Sequence, residues 1–349
     1  MISVKSYAVK KAKAPFIPYS FKRREPRDHD IAIHIQYCGI CHSDVHQARN
    51  EWGGSKFPMV PGHEISGVVT RVGAKVKKFK VGDRVGVGCL VDSCRTCSPC
   101  KSELQQFCEN GPSFTYNSTE QDKKTPTQGG YSTGIVVDEK FVLSIPKNLP
   151  LDEAAPLLCA GITLYSPLKH WGAGRGKKVA IIGLGGLGHM GVKIAHALGA
   201  EVTVLSQSLK KKADAIRFGA DHFYATSDSK TFTKLKNHFD LIINTVSAEI
   251  DWNDYLSLVK IDGTMVLVGV PEKDIPVSAF SLIGGRRSLA GSLIGGLKET
   301  QEMLNFCGKH NIVSDIELIP IQNVNEAYKR IVKSDVRYRF VIDMESLNR

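Results

Sequence analysis

Four cysteines crowd into one short polar stretch of the chain and restrict how it can fold: Cys94, Cys97, Cys100 and Cys108. Thiolates this close together on a loop can converge on one zinc ion, which takes four ligands in a tetrahedron. Pro99 and Lys101 lie between the thiols and indicate a loop, not a core segment. A disulfide pair or an iron–sulfur site is the alternative, but the spacing is not a ferredoxin spacing. We therefore predict a closed structural zinc site that braces a lobe and performs no chemistry.

The length and composition of the chain predict two globular domains in a reducing compartment. The 349 residues are 42% apolar and 23% charged, which is ordinary for globular proteins and enough for two cores. The N-terminal segment 1–14 has lysines but no apolar stretch, so we expect no secretory signal. We also find no run of about 18 apolar residues, the length that a membrane-spanning helix needs. Nine cysteines in such a chain favour metal-binding thiols and a cytoplasmic location.

The formal net charge of +11 raises the question of a nucleic-acid partner. The lysines are scattered in short clusters at 10–13, 75–80 and 210–212, and they form no basic face interleaved with aromatic residues. We interpret most of this charge as solvated surface and expect neither a nucleic-acid partner nor a membrane. A smaller part of it can attract an anionic cofactor.

The pattern of the sequence changes near residue 150. Before this point short β-type segments are broken by Gly, Pro and Asp, which predicts a β-rich lobe with strands over 31–36, 67–72, 84–87 and 134–137. After it, apolar strands alternate with helices, as in a parallel sheet that is covered on both faces. The predicted strands are 178–182, 201–205, 240–244, 264–270, 288–292 and 339–342, and the predicted helices are 151–169, 188–198, 210–218 and 298–307.

A glycine motif follows the first strand of the alternating region. It has the pattern G-x-G-x-x-G, carried by Gly183, Gly185, Gly186, Leu187 and Gly188, and it opens a predicted helix. The glycines permit a tight turn and close approach of a pyrophosphate, to which the helix N-terminus offers free N–H groups. In this context the motif predicts a dinucleotide site, with a glycine-rich turn that binds no ligand as the alternative.

The end of the next strand predicts which dinucleotide binds. An NAD site needs an acid there, about 20 residues beyond the motif, to accept a hydrogen bond from the ribose 2′-hydroxyl. This strand ends instead in Ser206, Gln207 and Ser208, followed by lysines at 210–212. A hydrogen bond to a charged group is worth roughly 1.5–3 kcal/mol, so NAD lacks its anchor while a 2′-phosphate gains hydroxyl and ammonium donors. We predict NADP(H), with Lys211 among its contacts; lysines that only solvate a helix start are the alternative.

Three further metal-ligand candidates stand far apart in the sequence: Cys41, His63 and Cys159. Two thiolates and one imidazole leave the fourth tetrahedral position of a zinc ion free, which is typical of a catalytic site. The spacing does not show that these residues meet. A single cysteine in an apolar helix, such as Cys159, is more often a core residue than a ligand.

Longer motifs resemble a known family. Gly62–Val76, with the pattern G-H-E-x2-G-x5-G-x2-V, resembles the signature of the zinc-containing alcohol dehydrogenases of the medium-chain dehydrogenase/reductase superfamily. Three segments are similar to its cinnamyl-alcohol-dehydrogenase-type branch: Cys38–His46, Gly183–Lys193 and Val336–Phe340. The resemblance covers nearly the whole chain. It implies an enzyme that typically reduces aldehydes with NADPH and works as a homodimer.

The resemblance also implies roles for single residues. Cys41, His63 and Cys159 would bind a catalytic zinc, with Glu64 beside it as a transient ligand, and the four clustered cysteines would bind a structural zinc. Ser43 would contact the alcohol oxygen, His46 would be the outer end of a proton relay, and Asp44 would support a ligand. The remaining implied cofactor contacts are His42 and Arg339, at the pyrophosphate, and Thr163, near the nicotinamide.

The implied fold is α/β, with two zinc ions and NADP(H) per chain. Residues 153–295 would form a doubly wound Rossmann domain that binds NADP(H), and residues 1–152 and 296–349 a β-rich, GroES-like catalytic domain. The favoured function is hydride transfer between NADP(H) and an alcohol/aldehyde pair, with reduction of cinnamyl, other aromatic or aliphatic aldehydes as the favoured direction. The alternatives are an NAD-linked polyol dehydrogenase, a zinc-free quinone reductase and a non-catalytic sensor that binds zinc and a nucleotide.

Overall fold

The computed structural model describes residues 1–348. Its strands are, in chain order, β1 (Ile2–Ala8), β2 (Ile17–Arg23), β3 (Asp30–Gly39), β4 (Ile65–Val72), β5 (Arg84–Val87), β6 (Leu90–Asp92), β7 (Ser113–Phe114), β8 (Gly134–Asp138), β9 (Leu143–Ser144), β10 (Lys178–Ile182), β11 (Glu201–Ser206), β12 (His222–Ala225), β13 (Phe239–Asn244), β14 (Val259–Leu267), β15 (Ser288–Gly291), β16 (Ile316–Pro320) and β17 (Arg339–Asp343).

The helices connect these strands and are mostly short. In chain order they are α1 (His42–Arg49), α2 (Ser98–Lys101), α3 (Leu151–Ala154), α4 (Ala160–His170), α5 (Gly188–Ala197), α6 (Lys212–Arg217), α7 (Lys230–Lys234), α8 (Trp252–Ser257), α9 (Ala279–Ile283), α10 (Leu297–His310) and α11 (Val324–Val332). Within the described residues no helix combines the length and the apolar character needed to cross a membrane.

The chain divides into two compact units. The first unit contains residues 1–162 and the segment from Gly295 onward, and the second contains Thr163–Ile294. In the sequence, the second unit therefore lies between the two segments that together form the first unit.

The second unit contains a six-stranded parallel sheet in the order β12-β11-β10-β13-β14-β15. This is the doubly wound order 3-2-1-4-5-6 of a Rossmann fold. The central strand β10 reads Lys-Val-Ala-Ile-Ile and is buried beyond its first residue. Apolar runs of this kind are expected where helices cover both faces of a parallel sheet. Phe239, Leu256 and Met265 lie in the core cluster on this sheet.

The first unit is built around a seven-stranded sheet. Its strands run in the order β16-β17-β3-β4-β5-β9, and β8 pairs with β3. All pairings are antiparallel except that of β16 with β17. Ile31, Ile33 and Ile35 on β3 are buried. The last strand, β17, lies beside β3, so the C-terminal return places Arg339 within the same unit as the loops that follow β3 and precede β4.

Most predicted elements differ from the observed bounds by a few residues, and two of the larger differences have a clear cause in the backbone. The single helix predicted over 151–169 is divided into α3, a tight helical turn (Ala155–Leu158) and α4. Pro156 lacks an N–H donor, and Cys159 has φ −127° and ψ −67°, which is not helical. The strand predicted over 264–270 begins earlier, at Val259, and ends at Leu267, because the N–H groups of Val268 and Gly269 both donate to Asn244.

Candidate active site and metal centres

Cys41 is fixed at the junction between β3 and α1. It forms the N-cap of α1, and its N–H donates to Asp44 Oδ2 at 2.9 Å while the Asp44 N–H donates back to the Cys41 carbonyl at 3.1 Å. These bonds satisfy groups that a helix N-terminus leaves unpaired. Glycine is required just before this junction, since a Cβ at Gly39 would lie 2.0 Å from Glu64 Oε2.

His63 is held by the same carboxylate. Its Nδ1 lies 3.1 Å from Asp44 Oδ1, and the Gly62 N–H donates to that oxygen at 3.2 Å. Because a carboxylate accepts, Nδ1 carries a proton, and in the neutral ring that can bind a metal Nε2 has the free lone pair. Burial alone would lower the pKa of His63, but the Asp44 charge raises it well above its usual value. The predicted supporting role of Asp44 thus corresponds to a direct contact with His63.

The structure brings together the side chains of Cys41, His63, Glu64 and Cys159. One ligand atom from each lies within 4.8 Å of the others, and all four residues are buried. The two sulfur atoms are 3.9 Å apart. The break between α3 and α4 leaves Cys159 in this group, so it is not the simple core cysteine that its sequence context also allowed. The described cysteines are all free.

The protonation of the two thiols supports a metal-binding site. Hydrogen bonding to Cys159 lowers the pKa of Cys41 well below its usual value, and the Arg339 charge lowers it further. The same bond raises the pKa of Cys159 well above normal. One thiolate therefore forms readily without a metal, whereas the second requires a cation nearby. Two sulfurs and a nitrogen are ligands that zinc prefers, so the set fits the predicted ion.

Glu64 is paired but incompletely satisfied. It forms a buried ion pair with Arg339 through Oε1, while Oε2 has no hydrogen-bond partner. Burial raises the pKa of Glu64 to about 7, against the opposing effect of Arg339. The Nε atom of Arg339 is likewise buried and unpartnered. An unpaired carboxylate oxygen beside two thiols and an imidazole fits the transient-ligand role, since such a group is costly to leave unsatisfied.

The four clustered cysteines form a second metal-binding group. One sulfur from each of Cys94, Cys97, Cys100 and Cys108 lies within 4.8 Å of the others. Backbone N–H groups donate to these sulfurs, from Cys97 to Cys94 Sγ at 3.4 Å and from Cys94 to Cys108 Sγ at 3.4 Å. The bonds from the Thr96 and Cys97 backbone lower the pKa of Cys94 to about 5. Amide donors of this kind stabilise thiolates, and four thiolates close the coordination of zinc.

The two predicted relay residues lie on α1. The Cys41 thiol is 3.7 Å from Ser43 Oγ, which places the hydroxyl beside the ligand group. His46 follows one turn later, where its Nδ1 lies 2.6 Å from Glu51 Oε2 and its ring stacks on Trp52 at 4.8 Å. Nδ1 is therefore engaged with Glu51, and the relay function would use Nε2.

The glycine motif forms the turn between β10 and α5. Gly183 has a φ of +87°, a conformation that other residues rarely adopt. A Cβ at Gly188 would lie 2.0 Å from the Gly183 carbonyl oxygen, so only glycine permits this close turn. Gly185 faces open space, with nothing within 4 Å of a Cβ placed there. The turn and the N-terminus of α5 match a pyrophosphate-binding loop.

The residues predicted to select NADP(H) lie at and beyond the end of β11. Ser206 is its last residue, and the exposed Gln207 and Ser208 follow. The ammonium group of Lys211 donates to the Leu184 carbonyl at 2.8 Å, within the glycine loop. The cation is thereby tied to the loop that would hold the phosphates. The ends of β10 and β11 lie side by side because the strands are parallel neighbours.

The other predicted cofactor contacts are divided between the units. Thr163 is buried on α4 at the start of the second unit. His42 and Arg339 belong to the first unit, where His42 is exposed on α1 and Arg339 is engaged with Glu64.

Comparison with known proteins decides the family. The sequence profile of the alcohol dehydrogenase GroES-like domain matches residues 27–147, and that of the zinc-binding dehydrogenase domain matches residues 186–309. The chain is 59% identical to the NADP-dependent alcohol dehydrogenase C of Mycobacterium bovis, over 99% of this chain and 100% of that protein. The chain belongs to the zinc-dependent alcohol dehydrogenases.

Two solved structures show the branch of this dehydrogenase. A cinnamyl alcohol dehydrogenase from Sorghum bicolor has a TM-score of 0.95 and 44% identity, with 98% of each chain covered. CAD from Helicobacter pylori, crystallised with NADP(H), has a TM-score of 0.93 and 46% identity, with 99% of each chain covered. The predicted Rossmann and GroES-like fold, the cinnamyl-alcohol-dehydrogenase-type branch and the assignment as an oxidoreductase are confirmed.

Sequence reasoning missed two residues that contact this site of the dehydrogenase. Cys89 follows β5, and a hydrogen bond with Cys159 lowers the pKa of the Cys89 thiol. The Tyr131 hydroxyl donates to Asp44. Neither residue lies in a motif with a recognisable spacing, so only their position in the fold reveals them. Tyr116, which the sequence suggests as a pocket residue, stacks its ring on the His63 imidazole, with centroids 5.8 Å apart.

Proposed function

We propose that this dehydrogenase is a zinc-dependent, NADP(H)-linked enzyme that favours the reduction of aromatic and aliphatic aldehydes, cinnamyl aldehydes among them. The observation that carries the proposal is the buried group of Cys41, His63 and Cys159. Three strong ligands leave one position of a zinc ion for an oxygen of the substrate. Glu64, held by Arg339, would exchange into that position when no substrate is present.

When bound there, zinc acts as a Lewis acid that withdraws electron density from the aldehyde oxygen. The protein's side chains then have two tasks at this metal group. Cys41 and Cys159 supply negative charge in a buried setting, and Asp44 orients His63 through Nδ1. Because all three ligands belong to packed backbone segments, little reorganisation accompanies the reaction.

Reduction also needs a proton, because an aldehyde, a hydride and a proton together give the alcohol. Ser43 Oγ would donate this proton to the nascent alkoxide and recover one through His46. Glu51 holds Nδ1 of His46, so Nε2 would exchange the proton with solvent. In alcohol oxidation the same groups would carry the proton outward.

The second unit offers the site for NADP(H). The loop from Gly183 to Gly188 would hold the pyrophosphate, and Ser206, Ser208 and Lys211 would bind the 2′-phosphate. Support comes from the absence of an acid at the end of β11 and from the NADP-dependent relative. We further propose that residues 153–295 act as the NADP(H)-binding domain, residues 1–152 and 296–349 as the catalytic zinc domain, and that the enzyme works in the cytoplasm.

A substrate panel tests this function. We expect the purified protein to hold two zinc ions and to oxidise NADPH with cinnamaldehyde, benzaldehyde and short aliphatic aldehydes. With NADH, kcat/KM should be lower by about 100-fold, which corresponds to the loss of one charged contact. Chelation that removes one zinc ion should abolish turnover, and added zinc should restore it. A protein with two bound zinc ions that reduces none of these aldehydes would contradict the proposal.

We also propose that the enzyme is a homodimer that associates through the second unit. Strand β15 lies at the end of the six-stranded sheet, where an unpaired edge can receive a strand from another chain. The short helix α9 leads into it and exposes Phe280 to 82% and Ile283 to 70%. Exposed apolar side chains beside an unpaired strand edge favour association with a second copy.

The Phe280→Asp variant tests this interface. It should weaken dimerisation by roughly 30-fold, the effect of losing about 2 kcal/mol from a central apolar contact. Light scattering over a dilution series measures the change. Val81→Asp is the matched control, because Val81 is 60% exposed but lies in the first unit. Equal dimer dissociation constants for the Phe280→Asp variant and the unmodified enzyme would argue against this face.

A further inference from the structure

The Asp44 carboxylate is the centre of the hydrogen-bond network around His63. It is fully buried, so its charge depends on protein donors. Oδ1 accepts from Gly62 N–H and His63 Nδ1–H, at 3.2 and 3.1 Å. Oδ2 accepts from the Cys41 N–H at 2.9 Å and from the Tyr131 hydroxyl at 3.5 Å. Two of these donors, Cys41 and His63, also belong to the metal-ligand group.

Tyr131 brings a second tyrosine into this network. It is fully buried just before β8, and its hydroxyl lies 3.2 Å from that of Tyr328. Because the Tyr131 proton is directed at Asp44, the Tyr328 hydroxyl donates to Tyr131. Burial raises the pKa of both phenols well above the usual value, so both stay protonated. The result is one chain of donors that ends on Asp44.

The far end of this chain is fixed by the C-terminal return. Tyr328 lies on α11, and the Phe16 ring meets it edge-on with centroids 4.8 Å apart. Asn325 holds α11 to the same residue, since its side chain accepts from the Phe16 N–H at 2.8 Å and donates to the Phe16 carbonyl at 3.0 Å. Tyr328 thus has few orientations available, and its hydroxyl stays directed toward Tyr131.

We propose that Tyr131 and Tyr328 are positioning residues for the zinc ligand His63, acting through Asp44. The proposal rests on the proposed catalytic zinc. A carboxylate with four donors has one orientation, which fixes the direction in which His63 presents Nε2. Tyr116 also hydrogen-bonds to Asp44, but without the Tyr131 hydroxyl Oδ2 loses one of its donors and can turn away from its present plane. His63 would then hold the metal less firmly, as is typical when partners of a histidine ligand are removed.

The rate of zinc release tests this role directly. Tyr131→Phe should accelerate release from the catalytic site to a chromogenic chelator by about 10-fold, the lower end of the effect of such outer contacts. Tyr328→Phe, one hydrogen bond further out, should accelerate it by about 3-fold. Release from the four-cysteine site should be unchanged in both variants. The kinetic phase of zinc release that is absent from a Cys97→Ser variant belongs to the four-cysteine site. Tyr19→Phe on β2 is the control for loss of a phenol hydroxyl elsewhere.

The double variant separates a connected chain from two independent effects. In a connected chain Tyr328 acts only through Tyr131, so Tyr131→Phe/Tyr328→Phe should release zinc no faster than Tyr131→Phe alone. Additive effects, unchanged release, or equal acceleration at both zinc sites would each overturn the proposal. If Tyr131→Phe does not fold, the Tyr328→Phe variant tests the proposal instead, through the ratio of its zinc release rates from the catalytic site and from the four-cysteine site. An unmodified enzyme that binds only the four-cysteine zinc would instead refute the proposed function.

Discussion

Replacing Cys159 with serine should remove one of the two zinc ions and lower kcat/KM for an aldehyde by at least roughly 10³-fold. Polarisation of the substrate oxygen by a metal is worth several kcal/mol, and about 4 kcal/mol corresponds to this factor. The neutral serine hydroxyl is a poor zinc ligand. It would leave Cys41 and His63 as the only strong ligands, and Glu64, which exchanges in only transiently, would not replace the lost thiolate. Zinc content by atomic absorption and turnover with NADPH measure the two effects.

The matched control for this variant is Cys97→Ser in the four-cysteine group. It should also lose one zinc ion, but from a site that performs no chemistry. The expected effect is therefore on stability. A decrease of about 3 kcal/mol in the free energy of unfolding should lower the melting temperature by roughly 10 °C, while kcat of the folded fraction stays near normal. The roles assigned to the two sites would be wrong if Cys159→Ser kept its turnover or if Cys97→Ser abolished it.

The sequence predicts the second unit of this dehydrogenase well because its elements are set by local patterns. The apolar run of β10 and the glycines from Gly183 to Gly188 contain the strand, the turn and the helix start within a few residues. The bounds of β10 match the predicted strand, and α5 ends one residue earlier than expected. Strand β12 was not predicted, since His222–Ala225 has only four residues and a short apolar pattern.

The catalytic group could be predicted only in part. His63 and Cys41 lie in a motif that resembles a family, but no spacing in the chain places Cys159 beside them. Their meeting depends on the non-helical backbone at Cys159, where the expected continuous helix is broken. The contact between Tyr131 and Tyr328 is even harder to predict from the sequence, because 197 residues separate the two tyrosines although their hydroxyls are 3.2 Å apart. Contacts of this kind come from the packing of the C-terminal return on the first unit.

Replacing Ser206 with aspartate should reverse the cofactor preference, lowering the ratio of kcat/KM with NADP(H) to that with NAD(H) by roughly 10³-fold. An acid at the end of β11 would repel the 2′-phosphate and accept a hydrogen bond from the ribose hydroxyl of NAD(H) instead. Each change is worth roughly 1.5–3 kcal/mol, and together they give between about 10² and 10⁴. Ser206→Asn is the control of equal size without charge, and it should shift the ratio by no more than about 10-fold. Because Lys211 is anchored on Leu184 and remains in place, NADP(H) should still bind weakly. Steady-state kinetics with both cofactors at saturating aldehyde measure the ratio, and an unchanged ratio would mean that this end of β11 does not contact the 2′-phosphate.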